Sequence, residues 1–422
     1  MKYLTSKALI VFSLMLYSSV VFSQKNVSNE QIQTTLKKHI TFLADDKLEG
    51  RLVGSAGEKT AYEYIIKNLQ QSKVESVNGN SFLQEFKTKH KLNPHASSKD
   101  SGSIEITGHN VIGYINNNAA NYIVIGAHFD HLGYNEYGGS TYKGENGESP
   151  KIHNGADDNA SGTAALLVLA DLLSKGEFKK NNYLFIAFSG EEEGLLGSNY
   201  FCKHPTIDLT KVTYMINMDM VGRMDTVKRT LAVSGYGTSP TWGKAFSSLT
   251  TDEFKFKFDS SGTGPSDHTS FYNVGIPVLH FFTGTHSDYH KPSDDEQKIN
   301  YNDEGKVVRY IYTLIGKLDA EPKLAFTKTR EDSSSKVSFK VTLGIMPDYM
   351  FEGKGVSVDG VTDGKPAAKA GIKRGDVIIQ LGEIKTDDMQ LYMKALSKFS
   401  KGETTKVKII RDKKEFEFEL TF

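Results

Sequence analysis

NNYLFIAFSGEEEGLLGS, residues 181–198, is the stretch on which the fold turns. Its first half is apolar and rich in aromatic and β-branched residues, so it reads as a buried strand. It then runs straight into Glu191, Glu192 and Glu193. Acids at the start of a helix are ordinary, because the helix dipole favours negative charge in the first turn. Whether these three mean more depends on what stands at the ends of the neighbouring strands.

Outward from that stretch, strand and helix patterns alternate. NYIVIGAH (121–128), VTYMINMD (212–219) and PVLHFF (277–282) read as strands, and SIEITGHNVIGYI (103–115) as another. SGTAALLVLADLLSK (161–175) has helical periodicity, with Ser161 placed to cap it. Upstream, residues 29–51 and 57–73 read as two helices around the turn EGRLVGSAG. Arg51 in that turn is read as pairing locally rather than meeting a substrate. The fold class expected is α/β: a mostly parallel central sheet flanked by helices, with ligands outside the carboxyl ends of the strands.

At 422 residues the chain is long enough for two domains, and 38% hydrophobic with 24% charged residues is ordinary for a globular protein. Lys plus Arg and Asp plus Glu number 51 each, so no global field draws the chain to nucleic acid or an anionic membrane. The first residues, MKYLTSKALIVFSLMLYSSVVFSQ, place Lys2 and Lys7 before a short apolar run that ends in small residues. Residues 1–23 are expected to be a signal peptide, giving an exported protein, periplasmic or secreted. The serines and the shortness of the run argue against a stable membrane anchor. Cys202 is the single cysteine, so no internal disulfide is available.

Acids and imidazoles recur at the strand ends. They are His128 and Asp130, Asp157 and Asp158 in NGADDNASG, Glu191 and Glu192, Asp219, and His286 and His290 in HSDYHKPSDD. Carboxylates gathered on one rim repel each other unless a cation neutralises them, and two His with three carboxylates suit a pair of divalent ions. In that setting one Glu binds metal while its neighbour works as a base. Asp130, two residues along the strand from His128, faces the same way and is placed to hold its other ring nitrogen. His131 points to the other side and carries no role.

GAHFDH (126–131), NGADDNASG (154–162), FSGEEEGLLGS (188–198), MINMDMVGR (215–223) and DYHKPSDD (288–295), in this order, resemble peptidase family M28, the zinc aminopeptidases, over roughly residues 30–318. The resemblance implies two zinc ions, other divalent ions being possible, with His128 and Asp219 on one, His290 and Glu192 on the other, and Asp157 between them. It implies Glu191 as the general base, and a cis peptide bond after the bridging Asp. The substrates implied are peptides with a free N-terminus. SGTGPSDHTSF (261–271) resembles a segment lining the same side, with a structural role for His268.

Residues 24–320 are thus expected to form the peptidase domain and the polar stretch 321–334 a linker. Residues 335–422 resemble a PDZ domain, a small α+β barrel. Leu343, Gly344 and Ile345 match the loop that offers backbone N–H groups to a peptide's terminal carboxylate, so a peptide ligand is implied, captured by strand addition. Two other readings stay open: a non-catalytic adaptor working through the PDZ-like part, and cyclisation of N-terminal glutamine as in the related single-zinc glutaminyl cyclases.

Overall fold

The computed structural model describes residues 28–77, 81–91, 103–142, 144, 148–329, 341–348, 351, 353–362, 364–387 and 389–422. The expected signal peptide lies outside them, as do residues 330–334 of the expected linker.

The chain begins with α1 (Asn29–Leu43), opened by a capping box: Ser28 Oγ accepts the Gln31 N–H and the Gln31 side chain accepts the Ser28 N–H. Its Ile32, Leu36, Ile40 and Leu43 recur at helical spacing and are buried. A tight turn, Asp46–Arg51, leads to α2 (Ala56–Gln71), capped by Ser55. Then come β1 (Glu75–Ser76), β2 (Leu83–Lys91), β3 (Ser103–Ile115), β4 (Tyr122–His128), α3 (Gly162–Lys175), β5 (Asn182–Phe188) and α4 (Leu196–Lys203). The domain is completed by β6 (Val212–Met218), β7 (Thr230–Ser234), α5 (Thr241–Ser247), β8 (Lys255–Phe258), α6 (His268–Tyr272), β9 (Val278–Phe282) and α7 (Tyr301–Leu318).

These strands form one sheet in the order β1-β3-β5-β4-β6-β9-β7-β8, with β2 beside β3. The centre, β5-β4-β6-β9, is parallel; β3 and β7 join it antiparallel, so the expected parallel sheet is a parallel core with antiparallel flanks. Side chains alternate between two buried faces. Ile123, Ile125, Tyr183 and Phe185 face the core shared with α1, α3 and α7, whereas Val124, Leu184 and Ile186 face that shared with Phe201 of α4 and Phe271 of α6. Burial on both faces explains why the strands read as unbroken apolar runs. Because the central strands are parallel, His128, Phe188, Met218 and Phe282 all end at one edge, and the loops that follow them share one rim.

Residues 341–422 have a separate core, built from Leu343, Val356, Val358, Ile378, Leu381, Val407, Ile409 and Leu420. Their elements are β10 (Ile345–Pro347), β11 (Val356–Val361), α8 (Pro366–Ala370), β12 (Val377–Leu381), β13 (Ile384–Lys385), α9 (Met389–Leu396), β14 (Thr404–Arg411) and β15 (Lys414–Thr421). The sheet order is β10-β11-β12-β14-β15, antiparallel throughout, with β13 on β12. The described part of the expected linker is a strap rather than a free spacer. Leu324 is buried in the first core, the Thr327 N–H donates to Thr238 O, and Thr329 meets the Tyr272 hydroxyl.

Candidate metal centre

Four segments meet at the rim. The end of β4 supplies His128, the end of β6 supplies Asp219, the turn after β5 supplies Glu191 and Glu192, and the loop after β9 supplies His290. The fifth contribution comes from the irregular turn Ala156–Ser161 that precedes α3. Asp158 Oδ1 lies 3.5 Å from His128 Nε2, and Asp158 Oδ2 lies 3.1 Å from His290 Nε2. His128 Nε2 is 3.3 Å from Asp219 Oδ1, and His290 Nε2 is 3.1 Å from Glu192 Oε2. One carboxylate therefore stands between two His–acid pairs.

That carboxylate belongs to Asp158 and not to Asp157, which corrects the expected bridge by one residue. Asp157 Oδ1 accepts the Gly222 N–H at 2.7 Å and its Oδ2 faces His286 Nε2 at 3.2 Å, so its carboxylate is turned behind the rim. Asp294 Oδ2 accepts the amides of both Asp157 and Asp158, at 3.0 and 3.1 Å, and so fixes the turn. The cis peptide likewise falls one residue later than expected, between Asp158 and Asn159. Gly155 permits the entry to the turn: its φ is +56°, and a Cβ there would meet Asp158 O at 2.1 Å. Ser161 does not cap α3; its hydroxyl donates to Asp157 O and accepts the Val221 N–H.

Asp130 faces the second ring nitrogen of His128 as expected, but at a longer distance than a hydrogen bond and with further partners. Its Oδ1 is 3.7 Å from His128 Nδ1, too far for a hydrogen bond, and the nearer acceptor for that nitrogen is its backbone oxygen at 3.3 Å. The carboxylate instead accepts the N–H groups of Glu191, at 3.1 Å, and Glu192, at 3.4 Å. Asp130 thus ties the acidic turn to the end of β4. His131, read as bystander, is also part of the site: its Nδ1 lies 2.6 Å from Glu192 Oε1. Alternation along an extended strand misplaces it because β4 ends at His128, and the chain beyond no longer follows a period of two. Glu193 is half-buried on the turn.

Charge crowding is visible in the proton affinities. Burial pushes the Glu191 carboxyl well up, and Asp219, Asp267 and Glu192 add to this while His128 opposes it. Burial also raises Glu192, yet His290 and His131 overcome it and hold this carboxyl well below the usual range. Burial lowers both His128 and His290, but the carboxylates around them win and both rise well above the ordinary imidazole value. Two groups among the described residues have ligand atoms close enough to hold an ion, His128 with Asp158 and Asp219, and His131 with Asp158 and Glu192. Nitrogen and oxygen donors in this number fit divalent zinc-type ions, and the shared member of both groups is Asp158.

Asp267 and His268 are fully buried; His268 stacks on His280 at 4.5 Å. Trp242 is buried too, donating to Thr238 Oγ1, and is packing. In the second core Leu343 is buried and Gly344 adopts φ +72°, its N–H donating to Thr342 Oγ1 at 3.0 Å. Ile345 opens β10, which pairs on one side with β11.

Residues 110–315 match the family model of peptidase family M28, and residues 324–422 match that of the PDZ domain. The chain carries an M28 peptidase domain. It is 32% identical over 147 residues to leupeptin-inactivating enzyme 1 of Streptomyces exfoliatus, covering 34% of this chain and 32% of that protein. With aminopeptidase YwaD of Bacillus subtilis the identity is 33% over 156 residues, 35% of this chain and 34% of that one. The chain thus spans about a third of the length of these two curated relatives. Among solved structures, BSAP, a zinc aminopeptidase from Bacillus subtilis, superimposes with a TM-score of 0.51 at 18% identity, over 69% of this chain and 95% of its own. The glutaminyl cyclase of Porphyromonas gingivalis does so with 0.51 at 17%, over 68% and 97%. At these identities the M28 domain shares their fold.

Proposed function

We propose that the protein is an exported, zinc-dependent aminopeptidase with a pair of ions. The observation that carries the reading is the placement of Asp158, one oxygen toward His128 and the other toward His290, with Glu191 on the same rim. His128 and Asp219 would hold one ion, Glu192 and His290 the other, and Asp158 both. When bound, zinc would polarise the scissile carbonyl and acidify a water. Glu191 takes the proton from the attacking water on its carboxylate and passes it to the leaving amine nitrogen. A carboxyl whose proton affinity burial has raised suits a group that holds a proton between two steps. Asp130, through the two amides it accepts, keeps Glu191 and Glu192 in place. The relatives named as aminopeptidases support peptides with a free N-terminus as substrates.

The PDZ domain would take an extended peptide beside β10 with its carboxylate at Leu343–Ile345. The sequence of residues 1–23 supports export, and no helix among the described residues is long and apolar enough to cross a membrane.

The cyclase reading shares the fold but asks for a single ion; His128 beside Asp219 gives this chain the donors for a second. Metal analysis of the purified protein, with hydrolysis of aminoacyl p-nitroanilides and cyclisation of glutaminyl peptides measured in parallel, decides between them. Two ions per chain and chelator-sensitive release of p-nitroaniline are expected. One ion with cyclisation would establish the cyclase instead, and neither metal nor turnover would leave the adaptor.

A further inference from the structure

Arg51 belongs to the turn before α2, ahead of the stretch matched by the peptidase family. It is fully buried and held at a left-handed φ of 51°. Its Nε donates to Phe129 O at 2.7 Å, its Nη1 to Asn154 O at 2.6 Å and to Leu43 O, and its Nη2 to Gly155 O at 3.0 Å. Phe129 lies between His128 and Asp130, and Gly155 lies three residues before Asp158. One planar side chain therefore joins the end of α1, the end of β4 and the turn that carries Asp158.

A buried guanidinium is costly unless every donor is satisfied and its charge is compensated. Here the donors meet backbone carbonyls. Compensation comes at longer range from Asp130, Asp158, Asp294 and Glu192, which oppose the lowering by burial; the pKa is brought down to about 10, so the group stays charged at neutral pH. The same charge offsets part of the repulsion among the rim carboxylates. Packing alone would not need it, since an apolar side chain of similar volume fills a core at lower cost.

We propose that Arg51 is a positioning residue of the metal centre, its fork setting the spacing between the β4 end that bears His128 and the turn that bears Asp158. The inference rests on the metal-centre reading above. By reciprocity, if the fork favours metal binding, metal binding must tighten the fork. Lysine cannot replace it, because an ammonium lacks the planar set of five donors.

The test compares the full chain with Arg51→Lys and Arg51→Met, using zinc competition against a chromogenic chelator alongside thermal unfolding of the metal-free proteins. Folded variants are expected to bind zinc about 10- to 100-fold more weakly, as for loss of groups that orient metal ligands, with kcat reduced and KM little changed. A folded variant with unchanged zinc affinity and lowered metal-free stability would overturn the proposal in favour of plain packing. Should neither variant fold, hydrogen exchange on the unaltered protein decides: zinc should slow exchange in residues 43–53 as well as in 128–131 and 153–159. Protection confined to the latter two segments would overturn it. If the unaltered protein binds no zinc, the metal-centre reading fails first; if it binds zinc and Arg51→Lys binds equally well, only the role of Arg51 fails.

Discussion

Asp158 Oδ2 lies 3.1 Å from Nε2 of His290, while its other oxygen turns to His128. The neighbouring Asp157 shares neither contact, so two adjacent acids of identical chemistry have separate tasks. Asp158→Asn should leave no more than one ion per chain and abolish hydrolysis. Asp157→Asn should keep two ions, with affinity weakened by about 10- to 100-fold through loss of support behind the rim. Metal analysis after gel filtration checks both; equal metal loss in the two variants would overturn the separate tasks, and loss in Asp157→Asn alone would reverse them.

Glu191→Gln removes the proton acceptor and leaves the neighbouring donors in place. The expected result is a fall in kcat of about a hundredfold or more, with metal content unchanged. Loss of metal together with activity would make Glu191 a ligand instead.

His39 on α1 is buried, its Nδ1 2.9 Å from the Tyr64 hydroxyl, and burial, aided by Lys38, lowers its pKa from 6.5 to about 4. Between those values the unfolded chain binds the proton and the folded chain does not, so stability rises with pH across this window and is lost as pH falls from about 6.5 toward 4. At about 1.4 kcal/mol per pKa unit the loss is at most about 3.5 kcal/mol. Urea unfolding at pH 7 and at pH 4.5 should show it, and His39→Gln should remove that part of the difference. A pH dependence unaltered in His39→Gln would count against it.

A Cβ at Gly344 would meet Lys365 Cβ at 2.2 Å on a backbone already at φ +72°. Gly344→Ala should destabilise the PDZ domain by about 1–2 kcal/mol from the left-handed backbone alone and abolish capture of carboxylate-ended peptides. Hydrolysis of small aminoacyl substrates should be unaffected. Calorimetry with an immobilised peptide assay distinguishes the two domains, and a parallel loss of hydrolysis would mean that they act as one.

The parallel centre was legible in the sequence because Ile123 to Ile125 and Tyr183 to Ile186 bury side chains on both faces, which leaves no polar alternation. His128 and Asp219 were legible because an apolar run marks a strand end plainly, whereas the choice of Glu192 over Glu191 and of His290 over His286 came only from the resemblance of their motifs to family M28. What could not be read were features of irregular backbone. His131 lies beyond the last residue of β4, where strand alternation stops, and its contact with Glu192 is set by the turn after β5. Arg51 was read as local because nothing in EGR shows which carbonyls its fork meets; those of Phe129, Asn154 and Gly155 lie 78 to 104 residues away.

The sequence by itself determined β3 to β6 and β9, the cores of helices α1 to α3, the presence of two domains and the set of acids and imidazoles offered at the strand ends, since periodicity and strand ends are properties of consecutive residues. Only the tertiary structure decided between Asp157 and Asp158. Adjacent side chains diverge according to the backbone between them, and that backbone is held by Asp294 and Gly222, groups 136 and 65 residues distant along the chain.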